Sequence, residues 1–197
     1  MLKKKIDMRK LSMEELHRLS KEEYGSVEKL PVVIVLDNIR SLSNVGAVFR
    51  SADAFRISEV FLCGITACPP HREIHKTALG ADETVEWRYF ETTESACAEL
   101  KSRGYKLYAV EQVEGSVMLQ DFQAEPNSAF IMGNEVDGVG DSVLPLCDGA
   151  IEIPQVGTKH SLNVSVCSGI IMWHLFDQLF LPNYQQSVEK KVKIVEK

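Results

Sequence analysis

Short apolar runs alternate with amphipathic segments along most of the chain. The first run, residues 30–36, is continuously apolar and rich in β-branched side chains, which is typical of a buried strand in a parallel sheet. Further strands are predicted at residues 59–63, 105–110, 129–132 and 150–153, and an edge strand where Val85, Trp87 and Tyr89 alternate with charged residues. This alternation predicts an α/β fold, a mostly parallel sheet with helices on both faces.

Segments with helical spacing of apolar residues lie between and after these runs. The predicted helices are residues 12–24, with Ser12 as N-cap and an end near Gly25; a segment that starts at Ser43 or Asn44; residues 71–78; residues 95–102; a segment that starts near Gly140 or Asp141; and an apolar C-terminal segment. The chain is thereby divided into a helical extension (residues 1–29), one α/β domain (residues 30–182) and a polar, flexible tail (residues 183–197).

Two of the predicted strands open into polar segments within residues 129–172. The strand at 129–132 is followed by Gly133, Asn134 and Glu135, and the strand at 150–153 by a loop that enters the last helix through residues 161–163. In α/β proteins, ligands bind where the carboxyl ends of strands meet loops. This stretch is therefore the predicted site.

The motifs of common nucleotide sites and hydrolases are missing from the sequence. The first strand is followed by residues 37–43, which contain no glycine, and there is no P-loop. His160 and Ser161 are neighbours without a G-x-S-x-G motif, so a serine hydrolase is disfavoured. Cys68, His71 and His75 are too few ligands for a metal site, and no metal is expected.

Two charged residues admit two interpretations from spacing alone. Arg50 points away from the apolar face of its helix, with Gly46 leaving a bare spot beside it, so it is either a solvated side chain or part of a site. Glu135 is either an acid–base group or hydrogen-bond acceptor, or a cap for the following helix.

Composition and charge limit the class of protein. The apolar share of 45% suffices for one core in 197 residues, and the net charge of −6 argues against broad, non-specific binding of nucleic acid. The five cysteines are odd in number and form no C-x-x-C, which favours a reduced protein of the cytoplasm. No secretory signal, membrane-spanning run or internal repeat is expected.

Three segments together resemble one family. Residues 36–54, 131–135 and 153–166 are similar to the three motifs of the SpoU branch of the SPOUT superfamily, the TrmH-like ribose 2′-O-methyltransferases of tRNA and rRNA, and residues 77–81 also resemble a family segment. The resemblance implies that residues 30–182 form a SPOUT methyltransferase domain whose C-terminal part is a deep trefoil knot. It also implies a homodimer through the knot region and the C-terminal helix, which is apolar almost all round.

The same resemblance implies a cofactor and a reaction. S-adenosylmethionine would be bound by Gly133, Ile153 and Leu162, largely through the backbone, and its methyl group transferred to a ribose 2′-hydroxyl. The implied catalytic residues are Arg50, Asn44, Glu135, Ser161 and Asn163.

The roles of these residues follow from their chemistry. The resemblance assigns activation of the 2′-hydroxyl to Arg50. Because a guanidinium is a poor base, we expect Arg50 to bind the target phosphate and hydroxyl and to stabilise a developing alkoxide. The alternative, proton acceptance by Arg50, would require a strongly perturbed site. Asn44 and Glu135 would orient Arg50 or the ribose, and Ser161 and Asn163 would shape the pocket.

The nature of the partner is less defined by the sequence. We expect an RNA substrate, tRNA rather than rRNA, and neither DNA nor a membrane as partner. Candidate phosphate contacts are Arg40, Arg72, Lys76, Lys159 and the terminal lysines. The alternatives are an rRNA 2′-O-methyltransferase and a non-catalytic RNA-binding protein of the same fold.

Overall fold

Seven parallel strands form the centre of the molecule in its computed structural model, which describes residues 9–12, 14–16 and 18–182. They are β1 (Leu30–Asp37), β2 (Ile57–Cys63), β3 (Glu86–Phe90), β4 (Lys106–Val110), β5 (Val117–Met118), β6 (Ser128–Met132) and β7 (Gly149–Glu152). They lie in the order β3-β2-β1-β6-β4-β7-β5, and each neighbouring pair is parallel. The predicted mostly parallel sheet is confirmed, and only the short β5 was not predicted.

Helices cover both faces of this sheet. They are α1 (Lys21–Ser26), α2 (Leu42–Ala54), α3 (Arg72–Ala78), α4 (Thr93–Ser102) and α5 (Val164–Leu179). Apolar residues of α2, α3 and α5 share one core with Leu36 and Phe130, whereas Cys97 and Leu100 of α4 share the other with Val35. The predicted two-sided α/β architecture is therefore confirmed.

Strand β1 is buried because its side chains enter both cores. Val32, Ile34 and Leu36 pack on one face, and Val33 and Val35 on the other, all with 0% exposure. Complete burial of such a side chain stabilises the fold by about 1.5–3 kcal/mol relative to exposure. The strand therefore serves as a rigid support for the loops at its carboxyl end.

The carboxyl end of β1 is tied to two other elements through a buried aspartate. Asp37 accepts hydrogen bonds from the Thr93 hydroxyl at 2.5 Å, at the start of α4, and from the backbone N–H of Gly140 at 2.9 Å, in the loop after β6. A buried carboxylate needs such partners to offset its lost hydration. Asp37 thereby fixes the position of the loop that carries the candidate site.

The N-terminal segment differs from the prediction. Ser12 and Glu15 form a capping box through reciprocal hydrogen bonds, but only one turn follows it. A second capping box, formed by Ser20 and Glu23, starts α1. An N-cap residue takes an extended conformation, so Ser20 interrupts the predicted helix of residues 12–24. The predicted start at Ser12 is therefore wrong, whereas the predicted end near Gly25 is confirmed, because α1 ends at Ser26. Residues 1–8 and 183–197, including the predicted tail, lie outside the described residues.

Two other predicted helix starts are wrong. Helix α2 is capped by Ser41, whose hydroxyl accepts the Asn44 N–H at 3.3 Å, so the side chain of Asn44 is available for another role. After β6 there is a loop and a 3₁₀ turn, Leu144–Leu146, in place of the helix predicted near Gly140 or Asp141. Pro145 donates no hydrogen bond, and the Gly140 N–H is held by Asp37, so an α-helix is not continued there.

The bare spot expected beside Arg50 is filled by a neighbouring helix. A Cβ atom added to Gly46 would overlap the Thr77 hydroxyl and the Ile74 carbonyl of α3. Glycine therefore permits the backbones of α2 and α3 to approach closely. The expectation of open space at Gly46 is wrong.

Helix α5 is buried along one side only in the single chain. Ile171, Met172 and Leu175 lie in the core, while Val166 and Trp173 on the outer side are 52% and 51% exposed. One part of the Trp173 ring packs on Phe55 and Phe176, and the exposed remainder forms an apolar outer surface with Val166. Separately, the residues described include no helix long and apolar enough to cross a membrane.

Candidate active site

A cavity of about 370 Å³ opens at the carboxyl ends of β6, β4 and β7. It is lined by Val110 to Gln112 after β4, by Met132 to Gly138 after β6, by Ile151 to Ile153 with Gln155 and residues 160–162 after β7, and by Val164 and Cys167 of α5. The predicted residues therefore line one cavity together; they are Gly133, Glu135, Ile153, Ser161 and Leu162. Cavities of this size hold small-molecule cofactors.

The loop after β6 forms one side of the cavity and is folded by its own hydrogen bonds. The backbone of Asn134 exchanges hydrogen bonds with that of Gly138, and the Asn134 Oδ1 accepts from the N–H groups of Val136 and Asp137, each at 2.9 Å. A Cβ atom on Gly133 would overlap backbone atoms of Gly138 and Val139. Glycine at position 133 therefore lets the loop turn back onto the end of β6.

Two residues after β4 join the loops on either side of them. Glu111 accepts hydrogen bonds from the backbone N–H groups of Gln112 at 2.9 Å and Val139 at 3.0 Å. The Gln112 amide donates to the His160 carbonyl at 2.9 Å. Glu111 thus holds the loop after β6, and Gln112 holds the loop after β7.

Sequence reasoning missed Glu111 and Gln112 because β4 precedes both site strands in the chain. Only the order of the sheet places β4 between β6 and β7. A signal was present, since two polar residues follow directly on an apolar strand.

Asn44 connects α2 to both sides of the site. Its Nδ2 donates to Glu135 Oε1 at 2.9 Å, and its Oδ1 accepts from Asn163 Nδ2 at 3.2 Å. Ser165 also donates to the same Asn44 oxygen at 3.5 Å. Asn44, Glu135 and Asn163, which are far apart in sequence, therefore form one hydrogen-bonded group.

Asn163 has a second role as the N-cap of α5. Its Oδ1 accepts from the Ser165 and Val166 N–H groups at 2.9 and 3.4 Å, which supplies the first turn of the helix with acceptors. The start of α5 and the side chain of Asn44 are consequently fixed by the same residue.

Arg50 lies outside the cavity and outside this group. It is exposed, and its side chain makes no hydrogen bond or ion pair with any residue that the structure describes. Asn44 and Glu135 bind each other and not Arg50. Within one chain they therefore do not orient Arg50, and the expectation that they orient Arg50 or the ribose stays a prediction.

The histidines considered as metal ligands have other partners. His71 caps α3 by accepting the Glu73 N–H at 3.2 Å, and His75 Nδ1 lies 3.1 Å from Asp82. Among the residues described, no three His, Cys, Asp or Glu side chains are grouped as a metal ion would require. Cys167 of α5 borders the cavity at the strand ends, away from these histidines. Burial, with the charge of Glu111 as a second cause, raises the pKa of its thiol to about 12.

Solved structures with the same fold are RNA-modifying enzymes. A TrmH/SpoU tRNA modifying enzyme from A. aeolicus aligns with a TM-score of 0.72 and 23% identity over 80% of each chain. An AdoMet-bound rRNA methyltransferase from Sinorhizobium meliloti gives a TM-score of 0.72 and 24% identity over 80% of this chain and 60% of that one. The architecture is therefore the SpoU-type α/β methyltransferase fold.

Comparison of sequences identifies the family. Residues 31–173 match the model of the SpoU rRNA methylase family. The 23S rRNA (guanosine-2′-O-)-methyltransferase RlmB of Neisseria meningitidis is 31% identical over 78% of this chain, which spans 61% of that relative's length. The tRNA (guanosine(18)-2′-O)-methyltransferase of Thermus thermophilus is 30% identical over 81% of each. The chain belongs to the SpoU rRNA methylase family, as its three motifs predicted.

Proposed function

We propose that the protein transfers a methyl group from S-adenosylmethionine to a ribose 2′-hydroxyl of RNA. The observation that carries this proposal is the cavity between the loops after β6 and β7, joined through Asn44 to Glu135 and Asn163. It occurs in a chain of the SpoU family, whose matched relatives are named as RNA guanosine 2′-O-methyltransferases.

The cavity fits a nucleoside cofactor that is held mainly by the backbone. Gly133, Ile153 and Leu162 line its walls, and the close turn at Gly133 leaves no room for a side chain between the two halves of the loop. Glu111 and Gln112 hold the two loops at a fixed separation before any ligand enters. Such preorganisation lowers the entropy cost of binding. When bound, S-adenosylmethionine supplies an electrophilic methyl group.

The chain's polar residues would prepare the ribose hydroxyl on the other side of the site. Asn44 and Glu135 are already oriented by their mutual hydrogen bond and can accept from or donate to a ribose. Arg50 would bind the adjacent phosphate and stabilise negative charge that develops on the 2′-oxygen, because a guanidinium remains cationic at neutral pH. Ser161 and Asn163 would shape the boundary between the cofactor and the ribose.

A homodimer would cover the exposed side of α5 and could supply Arg50 to a neighbouring site. Val166 and Trp173 form an apolar outer surface on this helix, and Arg50 is free of partners within the described chain. We expect Trp173→Glu to shift the protein from dimer to monomer in analytical ultracentrifugation. Lys101→Glu, which makes the charge more negative at an exposed position on α4, serves as the control. A wild-type protein that sediments as a monomer would contradict this part of the proposal.

We also propose that the C-terminal part is threaded as a trefoil knot and that the protein acts in the cytoplasm. The supports are the SpoU-type fold, in which β6 lies between β1 and β4, and the free state of all five cysteines. The knot region would be residues 129–172, which contain both site loops.

The direct test is methyl transfer to RNA. Purified protein is incubated with tritiated S-adenosylmethionine and either unmodified tRNA or unmodified rRNA, and 2′-O-methyl nucleotides are located by mass spectrometry. We expect label in tRNA, since the tRNA relative is matched over 81% of its length. Label in rRNA alone would identify rRNA, and not tRNA, as the substrate. RNA binding without methyl transfer would favour the non-catalytic alternative.

A further inference from the structure

An RNA-binding surface on α3 is suggested by the distribution of unpaired cations. Some basic side chains of this acidic protein are paired with carboxylates, as Arg88 and Arg103 are with Glu59 and Lys106 is with Glu125. Arg72 and Lys76 are different, because both are exposed and neither makes a hydrogen bond or ion pair through its side chain with any described residue. Spaced four residues apart, they lie on one side of α3.

The carboxylates near these cations are mostly occupied. Asp82 is paired with His75, and Glu83 with Lys21 of α1. Glu73, in the first turn of α3, is exposed and is the one acidic residue of this helix. The positive charges of Arg72 and Lys76 are therefore largely available to an external anion.

The position of α3 links these cations to the proposed acceptor side of the site. Gly46 of α2 lies against Thr77 and Ile74 of α3. Seven residues further along α2, Asp53 accepts a hydrogen bond from the Thr84 hydroxyl at 2.9 Å. Arg50 lies between Gly46 and Asp53 along this edge of α2. The edge that carries Arg50 is thus continuous with the segment that carries Arg72 and Lys76.

A hollow beside Arg72 adds an aromatic surface. It has a volume of about 500 Å³. Its lining consists of Pro69, Pro70, His71, Arg72, His75, the half-buried Trp87, and Asp82 and Glu83, whose carboxylates are paired with His75 and Lys21. An unstacked base can stack on an aromatic side chain while its phosphates contact basic residues, which is a common arrangement for single-stranded RNA. Neither the cofactor cavity nor the exposed side of α5 uses this surface.

We propose that Arg72 and Lys76 bind the phosphate backbone of the substrate RNA, with one nucleotide in the hollow beside Trp87, and so guide the strand toward Arg50. The proposal rests on the RNA methyltransferase function proposed above. It assigns the RNA to the surface of α3, on the opposite edge of α2 from α5.

The test measures RNA binding separately from methyl transfer. Anisotropy of a fluorescein-labelled, unmodified tRNA transcript is recorded with wild type, with Arg72→Glu/Lys76→Glu, and with Lys101→Glu, whose position on α4 is across the sheet. We expect the double variant to lose about tenfold to 100-fold in affinity, and its slope of log affinity against log salt to fall by about 1.5. Lys101→Glu should bind as wild type does.

Further arms separate the possible outcomes. Equal affinity and salt slope in the double variant and wild type would overturn the proposal, as would equal losses in the double variant and Lys101→Glu. Arg72→Ala/Lys76→Ala, which introduces no new charge, should lose affinity in the same direction. Unchanged Trp87 emission on RNA binding, measured in the Trp173→Phe background, would contradict a nucleotide in the hollow.

Failure of the proposed function gives a different result from failure of this surface. If wild type binds RNA but transfers no methyl group, the enzymatic assignment fails while the binding comparison between variants stands. In all variants, calorimetry with S-adenosylmethionine should give the wild-type affinity, because α3 contributes no residue to the cofactor cavity.

Discussion

The cofactor cavity and the α2–α3 edge differ in how their polar groups are held. At the cavity, Glu111 and Gln112 bind backbone groups of the loops after β6 and β7. Asn134 and Asn163 accept backbone N–H groups two and three residues further along their own segments. On the α2–α3 edge, Arg50, Arg72 and Lys76 have no partner among the described side chains. The first region is complete within one chain, whereas the second presents charges whose partners must come from outside. This is the difference expected between a preformed small-molecule site and a surface for a polyanion.

The largest effect on activity is expected from a substitution on the α2–α3 edge, whose cations have no partner among the described side chains. Arg50→Ala should reduce methyl transfer at least about 10³-fold, because it removes the charge that stabilises the developing alkoxide. The fold and the affinity for S-adenosylmethionine should be unchanged, since Arg50 contacts neither the cavity nor any described polar group. Tritium transfer and calorimetry measure the two quantities, and Arg50→Lys, which keeps the charge without the planar fork, should be intermediate. Near-normal turnover in Arg50→Ala would remove Arg50 from the site.

A smaller effect, on binding and not on chemistry, is expected in the cavity. Gly133→Ala should weaken S-adenosylmethionine binding about 100-fold, because the new methyl group must displace the backbone at Gly138 and Val139. The matched control is Gly157→Ala, where a Cβ atom meets nothing within 4 Å. Equal affinities of the two variants in calorimetry would exclude Gly133 from the cofactor site.

A smaller loss of cofactor affinity is expected when the hydrogen bonds that Glu111 accepts from backbone groups are removed. Glu111→Ala removes both acceptors for backbone N–H groups, and Glu111→Gln removes one, so we expect affinity losses of about 30-fold and about fivefold. Glu114→Gln, an exposed residue in the same loop, should change nothing. The kcat at saturating cofactor should be preserved, and a fall in kcat without loss of affinity would refute a purely positioning role.

The smallest effect concerns a thiol in the wall of the cavity. With a pKa of about 12, caused first by burial and then by the charge of Glu111, Cys167 is ionised to about one part in 10⁴ at pH 8. Alkylation of its peptide, followed by mass spectrometry, should therefore be slow and rise about tenfold per pH unit through pH 10. Because burial raises the pKa, the stability contributed by the neutral thiol falls as the pH rises above the ordinary value of a thiol.

S-adenosylmethionine should protect Cys167 further by filling the cavity. Cys68, which is half-buried and lies outside the cavity, serves as the internal reference. If the cofactor slowed the alkylation of both cysteines equally, the effect would be global and would not locate the ligand.

The buried strands, including the two that lead into the site, could be predicted because buried positions are occupied by apolar residues in the sequence. Strand β1 is recognised by its unbroken apolar run, and the site region at residues 129–172 by the polar segments that follow two apolar strands. Gly133, Ile153 and Leu162 were expected at the site from the resemblance to the family motifs. Strand β5 could not be found, since it consists of two exposed residues whose position depends only on pairing with β7.

Contacts across the sheet were the part that sequence could not supply. Glu111 and Gln112 enter the site through the position of β4 between β6 and β7, which no local pattern encodes. The α2–α3 contact at Gly46 depended likewise on a distant helix, and the missing helix after Gly140 on an acceptor at Asp37. Where a backbone group is bound by a residue far along the chain, local propensity is overridden.

The placement of β4 between β6 and β7 also makes the cavity a reporter of completed folding. Its walls come from three segments, and the last of them, residues 151–167, is synthesised after most of the domain. A chain that lacks this segment can contain both β4 and β6 and still have no enclosed cavity. Retention on immobilised S-adenosylmethionine should therefore distinguish fully assembled molecules from partly folded ones, and a saturating ligand at about 100 times its Kd should raise stability by about 2.7 kcal/mol only in the former.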